Sequence, residues 1–581
     1  MAGGSGSGDF GNFLLVVVLI ALCFIVPIYA GMLGSFALTY GPAKVMMVAS
    51  PTKIIKVMTA LVPWALSHPD VAWKMKILAP PAAGAFIGFI IMFIIRAPLM
   101  DFRPIKGKES IHGDARWASE ADIKKAQLRA KRGMLLGRTG KTNYLVADDY
   151  QHVLLFAPTG AGKGVGFVIP NLLYWDHSVV CHDIKMENYE LTSGYRQNVM
   201  GQACYTWNPA DPNGVTHCYN PLDWISEKPG QMVDDCQKIC NLILPEQEFW
   251  QNEARSLMLG VMLYLCAVPE KVTSFGEIVR TMRSDDVVYN LAVVLDTVGG
   301  RIHPVSYMNL ASFLQKADKE RSGCISTLNS GLELWSNPLI DTATATSDFD
   351  IQQLKKKKMT VYVGVTPDNL QRLEPLLKIF YQQSTDFLTR AMPGPEEKHG
   401  VMFLLDEFPS LGEMPQFKIG IAYFRGFKVK LFLIVQDTQQ LKGIYEDAGM
   451  NSFLSNSYYR ITFSANNIDT ANMISQVIGN KTVKQVSKSS PSMFDTKKGG
   501  RSQSVSEGQR ALLLPQEVIN LPRDDQIILV ESFCPIRCKK IFYYKDPFFT
   551  KRLMPKIPLP IQEPYDHRAA AKTNEEKGKK A

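Results

Sequence analysis

The stretch FAPTGAGKGVGFVIPNLL, residues 156–173, decides how the rest of the chain is interpreted. An apolar run leads into a glycine-rich turn and a second apolar run follows, which predicts a strand, a tight loop and the start of a helix. Glycines in the loop let backbone N–H groups converge on phosphate oxygens, and the helix start adds a positive dipole. The stretch therefore predicts a phosphate-binding loop. Its residues are Ala157, Pro158, Thr159, Gly160, Ala161, Gly162, Lys163 and Gly164.

This loop departs from the general pattern G-x-x-x-x-G-K-[ST] at both ends. Ala157 replaces the first glycine, which is a small change. Gly164 replaces the Ser or Thr whose hydroxyl normally holds Mg²⁺. Lys163 remains as the cation for the β- and γ-phosphates. Taken alone, the loop leaves open whether the site turns nucleotide over.

A second motif, VMFLLDEFPSLGEMP at residues 401–415, strengthens the interpretation. Five apolar residues run into Asp406 and Glu407, as a buried strand with acids at its carboxyl end would. There Asp406 would hold Mg²⁺, directly or through water, and Glu407 would polarise the attacking water. The loop and the acid pair together predict a site for ATP and Mg²⁺.

Further residues are placed by the rule that ligands bind at the carboxyl ends of parallel strands. Gln436 closes the apolar run LFLIVQ and would sense the γ-phosphate or orient water. Asp183 closes SVVCHD, with Lys185 and Glu187 beside it. Arg425 lies between the acid strand and the glutamine strand. It is either an arginine finger that acts across a subunit boundary or a solvated surface arginine, and spacing does not separate the two.

Two uncharged, apolar stretches precede the soluble part. We expect transmembrane helices at about 12–38 and 77–96, with a periplasmic loop between them, so that residues 1–100 form a membrane anchor. A cleaved signal peptide would begin with a basic segment, and MAGGSGSGDF contains neither Lys nor Arg. Lysines and arginines are balanced across the second span. The orientation, with both termini inside, therefore follows from the need for cytosolic ATP.

The remaining chain predicts one α/β domain with a helical insertion. Strands that alternate with helices indicate a parallel sheet covered on both faces. We expect the nucleotide-binding domain at 101–224 and 346–548, with an all-helical domain at 225–345 between its two parts. Residues 481–510 are expected to form a solvated loop, and 549–581 a disordered polar tail.

Composition adds little. The 581 residues carry a net charge of +9, which is compatible with an anionic partner or membrane surface but does not require one. The pairs Cys236/Cys240 and Cys534/Cys538 have no matching His or Cys pair nearby. Reduced cysteines in a cytosolic domain are therefore expected rather than a zinc site.

The chain resembles the type IV coupling proteins, the TraG-type membrane ATPases of conjugation and type IV secretion. The resemblance covers nearly the whole chain, and GKG in place of GK[ST] is common in that family. The motifs that carry it are HGDARWAS, RGMLLGR, HVLLFAPTGAGKGVGFVIPNLL, SVVCHDIKMENYELTSGYR, NPLDWI, FWQNEAR, LLDEFPSLG and LLLPQEV.

The resemblance implies a RecA-like P-loop nucleotide domain, an all-helical inserted domain that selects substrates, and a homohexameric ring on the bacterial inner membrane with the bulk of the chain cytoplasmic. It assigns Asp406 and Glu407 as the acid pair, Gln436 as the motor glutamine and Arg425 as the arginine finger. It implies as partners a relaxase–single-stranded DNA complex, secreted effector proteins, or both, together with other type IV secretion components.

Three functions are compared on this basis. The first is a coupling ATPase that recruits substrates to a secretion channel and drives or licenses their export. The second is an FtsK-like DNA translocase, which would normally carry a DNA-reading domain near its end, where this chain has a short polar tail. The third is a membrane scaffold that binds nucleotide without appreciable turnover, an alternative to which Gly164 gives some support.

Overall fold

The computed structural model describes residues 7–99, 113–489 and 502–566, which fall into two compact units, Met1–Ser110 and Ile111–Ala581. The first unit is helical. Its buried core is formed by Phe36, Ile54, Met58, Ala65 and Ile77. Its helices are α1 (Ser7–Tyr40), α2 (Val45–Val48), α3 (Pro51–Ser67) and α4 (Val71–Leu99).

One stretch among the described residues, Val71–Ile91, is long and apolar enough to cross a membrane. It contains most of the predicted span 77–96. A second candidate is the helix pair Pro42–Val48 and Pro51–Ser67, which is bent by 115°. The predicted span 12–38 lies within α1, but the side chains of residues 7–21 are outside the described part of the chain. That span therefore stays a prediction.

The second unit is built on one 11-stranded sheet with a separate two-stranded hairpin. The order of the large sheet is β2-β1-β13-β12-β9-β3-β8-β7-β4-β6-β5. The strands are β1 (Met134–Thr139), β2 (Asn143–Ala147), β3 (Val153–Phe156), β4 (Ser178–Asp183), β5 (Ala203–Trp207), β6 (Met359–Gly364), β7 (Val401–Leu405), β8 (Val429–Val435), β9 (Tyr459–Thr462), β10 (Asn480–Ser489), β11 (Ser502–Ala511), β12 (Asp525–Val530) and β13 (Ile536–Lys539).

The expectation of a parallel sheet is correct for only part of it. The strands from β9 to β5 in the sheet order are parallel, and β3 pairs with both β8 and β9. The remaining strands, β12, β13, β1 and β2, extend the sheet in antiparallel fashion. β1 and β2 form one hairpin and β12 and β13 another, but the hairpins join the sheet through β1–β13 and β12–β9, pairings between segments distant in sequence that local apolar runs do not reveal.

Helices cover both faces of this sheet, as the sequence predicts. Leu154 and Phe156 of β3 enter one hydrophobic core, whereas Val153 and Leu155 enter another. Since side chains alternate along a strand, the two cores lie on opposite faces. The helices of this unit are α5 (Glu120–Lys125), α6 (Ile169–Leu172), α7 (Glu187–Asn198), α8 (Pro229–Ile243), α9 (Phe249–Ala267), α10 (Phe275–Met282), α11 (Val287–Val298), α12 (Pro304–Leu314), α13 (Asp318–Gly331), α14 (Pro338–Ala343), α15 (Leu370–Thr389), α16 (Pro415–Gly420), α17 (Thr438–Asn456), α18 (Ile468–Ile478), α19 (Pro515–Ile519) and α20 (Pro547–Thr550).

The interval between β5 and β6 is fully described and contains helices α8 to α14 but no strand. Its apolar residues join the core on one face of the sheet: Met258 of α9 and Leu377 of α15 belong to the same buried cluster. The helical segment therefore packs onto the sheet through a shared core. Its division into a separate domain at 225–345 stays a prediction.

Two expectations near the end of the chain are wrong. Residues 481–510 are not a plain loop, because β10 and β11 pair in register from Asn480↔Ala511 to Ser489↔Ser502. Residues 490–501 lie outside the described part. The tail is ordered from Phe549, which is fully buried, through Ile557, which is 6% exposed, to residue 566. Apolar side chains embedded in its Pro-rich sequence explain this order. Residues 567–581 lie outside the described part.

Candidate nucleotide-binding site

The predicted phosphate loop follows β3 at the carboxyl edge of the parallel strands. Gly160 and Gly162 have φ values of 78° and 84°, in the left-handed region that glycine adopts without strain. A Cβ placed on Gly160 or Gly164 would meet no atom within 4 Å, so the loop surrounds open space. The chain then enters a π-helical turn, Gly164–Val168, which continues into α6. This arrangement gives the cradle of backbone N–H groups that a phosphate requires.

Lys163 joins the loop to the acid pair. Its Nζ lies 2.5 Å from Glu407 Oε2 and 3.4 Å from Asp406 Oδ1. Burial lowers the pKa of Lys163, but the Asp406 and Glu407 carboxylates outweigh this effect, so the pKa lies above its ordinary value. Lys163 is therefore charged at neutral pH, and it interacts with the two groups that the sequence assigned to hydrolysis.

The acid pair follows β7, as predicted, and Gln436 follows the neighbouring strand β8. Gln436 Nε2 donates a hydrogen bond to Glu407 Oε1 at 3.1 Å. Glu407 has a left-handed backbone, with φ 71° and ψ 61°. The Ser410 hydroxyl donates to the Glu407 carbonyl at 2.7 Å and helps to hold this conformation. The structure thus brings Lys163, Asp406, Glu407 and Gln436 together at one edge of the sheet.

Asp406 has the features of a magnesium ligand. Its Oδ1 is buried and makes no hydrogen bond to the described residues. Burial raises the pKa of this carboxyl group above its ordinary value, although Lys163 opposes the effect. Within the described residues no three His, Cys, Asp or Glu side chains form a metal cluster. Mg²⁺ is usually held by one or two carboxylates, waters and substrate phosphates, so this single carboxylate beside a phosphate cradle fits Mg²⁺ together with a nucleotide.

Asp183 ends β4 at the same edge, and its carboxylate accepts a hydrogen bond from the backbone of α7. Its Oδ2 accepts the N–H of Tyr189 at 2.8 Å, at the first turn of α7. Burial, followed by the charges of Asp406 and Glu187, raises the pKa of Asp183 to about 7. Lys185 and Glu187 are exposed. Asp183 therefore supports the start of α7.

Arg425 does not belong to this group of residues within one chain. It lies before β8, whereas Gln436 lies after β8, and the strand between them has seven residues. At about 3.3 Å per residue the two positions are about 20 Å apart. Arg425 is exposed beside His152, whose pKa is lowered to about 4 chiefly by burial, with smaller contributions from Lys430 and Arg425. The arginine therefore lies at the amino edge, opposite the phosphate loop.

Two residues that sequence reasoning missed border the loop on another side. Lys540 Nζ donates a hydrogen bond to the Ala161 carbonyl at 3.0 Å. A Cβ on Gly162 would lie 3.6 Å from the ring of Phe542. Both residues follow β13, which runs parallel to β9 because β12 lies antiparallel between them. No motif surrounds them, so only the order of strands in the sheet places them at this edge.

Comparison with known proteins agrees with this geometry. Residues 116–561 match the family model described as type IV secretory system conjugative DNA transfer, over more than half of the chain. The chain belongs to the family of type IV secretion coupling proteins. This coupling protein is 32% identical over 467 residues to VirD4 of Agrobacterium fabrum (strain C58), with 75% of this chain and 66% of VirD4 covered. The chain therefore spans slightly less than two thirds of the length of that relative.

Other relatives cover more of their own length. The conjugal transfer protein TraG of Escherichia coli is 29% identical over 511 residues, with 78% of this coupling protein and 80% of TraG covered. Among solved structures, the plasmid coupling protein TrwB in complex with ADP and Mg²⁺ has a TM-score of 0.55 at 15% identity, covering 79% of this chain and 99% of TrwB. The likeness to TrwB is one of fold.

Proposed function

We propose that this coupling protein is a membrane-anchored P-loop ATPase that recruits substrates to a type IV secretion channel and drives or licenses their export. The observation that carries the proposal is the contact of Lys163 with Asp406 and Glu407, beside an open phosphate cradle. A cation, a buried carboxylate and a water-polarising carboxylate are the parts that phosphoryl transfer requires. TrwB, which shares the fold, is described with ADP and Mg²⁺ and with an ATP analogue.

Each residue has a role in ATP hydrolysis on this proposal. The N–H groups of the loop and the ammonium of Lys163 bind the phosphates, while Asp406 holds Mg²⁺. Bound Mg²⁺ would supply positive charge that offsets the negative charge of the phosphates. Glu407 accepts a proton from, or polarises, the attacking water. Gln436 donates to Glu407 at 3.1 Å, so it transmits the state of the carboxylate to β8.

The resting contact between Lys163 and Glu407 gives this site a defined starting state. At 2.5 Å the ammonium occupies one oxygen of the carboxylate and Gln436 occupies the other. Phosphate oxygens that enter the cradle compete for the same ammonium, because Lys163 is the cation of the loop. Glu407 is then released toward the water beside the γ-phosphate. Nucleotide binding thereby activates the base that hydrolyses it.

Family membership supports a proposal for the substrates and the assembly. The relatives VirD4 and TraG are named for secretion and conjugal transfer, which supports a relaxase–single-stranded DNA complex, effector proteins, or both as cargo. The helical segment 225–345 would select them. Two transmembrane helices, at 12–38 and 77–96, would place the chain in the inner membrane, with the nucleotide domain (101–224 and 346–548) in the cytoplasm. Arg425 at the opposite sheet edge fits a homohexamer in which it completes the site of a neighbour.

The test is ATP hydrolysis by the full-length protein in lipid nanodiscs, with and without single-stranded DNA. Lys163→Ala and Glu407→Gln are the informative variants, and Glu413→Gln, an exposed acid six residues further on, is the matched control. We expect Lys163→Ala to lose nucleotide binding. We expect Glu407→Gln to bind nucleotide but to lower turnover at least a hundredfold. Turnover that survives in Glu407→Gln would overturn the assignment.

A second candidate function, a nucleotide-binding scaffold without turnover, is favoured by one observation, the missing hydroxyl at Gly164. The same experiment separates the two. A scaffold binds nucleotide in the wild type and loses it in Lys163→Ala, yet shows no hydrolysis in any variant, with or without DNA.

A further inference from the structure

Lys540 is a buried cation beside the phosphate loop that the roles assigned above do not use. Lys540 is only 2% exposed. Its backbone N–H is tied to the Asp524 carbonyl at 2.9 Å, which fixes the start of the side chain. Its Nζ lies 4.1 Å from the ring centroid of Phe463, a residue that follows β9 at the same edge. The ammonium is therefore held in one place from two sides.

Lys540 has no carboxylate within ion-pair distance among the residues that the structure describes. Lys163, in contrast, contacts two. A desolvated ammonium without a counter-ion is unfavourable, and an aromatic face and one carbonyl offset only part of that cost. An anion close to the loop would supply the missing compensation. The phosphates of a nucleotide are the anions that this loop is built to hold.

The hydrogen bond from Lys540 also fixes the direction of one peptide group. The Ala161 carbonyl points at the ammonium, 3.0 Å away. In a trans peptide the N–H of the next residue points in the opposite direction, so the Gly162 N–H faces away from Lys540. A hydrogen bond from a cation to a carbonyl also polarises the peptide and makes its N–H a stronger donor. Gly162, with φ 84°, has no side chain that would restrict this orientation.

We propose that Lys540 is a positioning residue for nucleotide binding: its ammonium holds and polarises the Ala161–Gly162 peptide so that the Gly162 N–H is presented to a bound phosphate. This inference rests on the proposed function, since it assigns Lys540 to the same site. It predicts a contribution to affinity that depends on the charge at position 540 and not only on its volume.

The titration of Lys540 should make nucleotide affinity depend on pH, which would not be expected if Lys540 acted only by packing. Burial lowers the pKa of Lys540 to about 8, although Asp524 and Asp525 oppose the effect, and Arg523 adds to it. The charged side chain of the loop itself, Lys163, has a raised pKa and keeps its proton in this range. Lys540 is protonated below about pH 8 and loses its charge above it. Affinity for nucleotide is thus expected to fall as pH rises through 8.

The experiment measures binding of a non-hydrolysable ATP analogue with Mg²⁺ to the full-length protein between pH 7 and pH 9.5. We expect Lys540→Met, which keeps most of the side-chain length, to weaken binding about tenfold or more at pH 7, since it removes a charged hydrogen bond. We expect its pH profile to be flat. Lys540→Arg should restore affinity at pH 7 and stay tight at pH 9.5, because arginine keeps its charge. Lys551→Met, at an exposed position on the same C-terminal segment, is the control.

The outcomes separate this inference from the proposed function. Wild-type binding that is lost in Lys163→Ala but retained in Lys540→Met overturns the role of Lys540 alone. A fall in affinity above pH 8 that persists in Lys540→Met also overturns it. No binding by the wild type overturns the proposed function itself. If Lys540→Met does not fold, two other results would still overturn the proposal. One is a wild-type affinity that does not change with pH. The other is a Lys540→Arg pH profile of affinity that is identical to the wild-type profile.

Discussion

At the scale of single residues, the Lys163 ammonium can pair either with two carboxylates or with a bound phosphate. Its ammonium is 2.5 Å from Glu407 and 3.4 Å from Asp406. A bound phosphate would take it from both. Each carboxylate would then be available for a different task, because Asp406 Oδ1 makes no hydrogen bond to the described residues whereas Glu407 accepts one from Gln436. On the proposed function, one lysine would couple the arrival of nucleotide to the release of both Asp406 and Glu407.

Gly164 is the position at which this loop lacks the hydroxyl of the general pattern, and the structure permits a direct substitution there. A Cβ there would meet nothing within 4 Å, and Gly164 is not among the glycines with positive φ. Gly164→Ser should fold normally and add the hydroxyl that other phosphate loops give to Mg²⁺. We expect the Mg²⁺ concentration for half-maximal hydrolysis to fall severalfold. Titration of ATPase activity with Mg²⁺ measures this.

Gly164→Ala is the matched control, because it adds the Cβ without the hydroxyl. If the serine and alanine variants require the same Mg²⁺ concentration, the hydroxyl does not reach the metal, and the loop holds Mg²⁺ in another way than the general pattern.

At the scale of elements, α1 and α4 cross closely at two similar motifs, in which the glycine of each helix packs against a proline of the other. Residues 27–31 read PIYAG and residues 80–84 read PPAAG. A Cβ on Gly31 would overlap the Pro80 carbonyl, and a Cβ on Gly84 would overlap the Pro27 carbonyl. Small residues at such crossings allow helix backbones to pack closely, as they do in membranes.

Gly31→Ala should therefore separate the two helices, whereas Gly34→Ala should not. The nearest atom to a Cβ on Gly34 is the Pro80 Cβ at 3.7 Å, which is an ordinary contact. We expect Gly31→Ala to lower the midpoint of thermal unfolding of the first unit and Gly34→Ala to leave it unchanged. Disulfide cross-linking between cysteines introduced into α1 and α4 measures the same packing. Equal cross-linking in both variants would show that the crossing is looser than described.

The ordered tail gives a second prediction at this scale. Ile557 is 6% exposed, its N–H donates to Ser193 Oγ at 3.3 Å, and the Tyr189 hydroxyl donates to its carbonyl. Removal of residues 553–581 should lower the free energy of unfolding by about 2 kcal/mol or more, the value of one buried aliphatic side chain. Removal of 567–581 alone should have no effect. Urea denaturation of the two truncated proteins tests this, and equal midpoints would contradict it.

The elements also show what could be predicted from the sequence. Strands β3, β4, β6, β7, β8 and β9 were predictable because each is an apolar run bounded by turn residues, and the parallel rule then placed Asp406, Glu407 and Gln436 beside the loop. The antiparallel hairpins β1–β2 and β12–β13 join the sheet by pairing between distant segments, β1 with β13 and β12 with β9. Lys540 reaches Ala161 only because β13 ends at the carboxyl edge. The tail was misjudged because its Pro- and Lys-rich composition hides the few apolar residues that anchor it.

At the scale of the whole molecule, the polarity of the sheet places the candidate nucleotide site and Arg425 at opposite edges. The phosphate loop and the acid pair lie at the carboxyl edge, and Arg425 lies at the amino edge, about 20 Å away along β8. Within one chain the arginine does not reach the phosphates. In the proposed ring, the amino edge of one subunit would face the carboxyl edge of the next, so that Arg425 of a neighbour would complete each site.

Mixing two inactive variants tests this arrangement. Arg425→Ala lacks the finger but has an intact site, whereas Glu407→Gln lacks the base but has an intact finger. We expect Arg425→Ala alone to have at most about a thousandth of wild-type turnover and Glu407→Gln alone at most about a hundredth. Mixed rings contain interfaces with both intact parts, so hydrolysis should recover to a substantial fraction of the wild-type rate. The measurement is ATPase activity of the co-expressed variants in nanodiscs.

A mixture of Glu407→Gln with Lys163→Ala is the control. It should stay inactive, because both defects lie on the same side of the interface. Two results would show that Arg425 is a solvated surface residue. One is that the first mixture does not recover ATP hydrolysis. The other is that Arg425→Ala alone hydrolyses ATP at the normal rate.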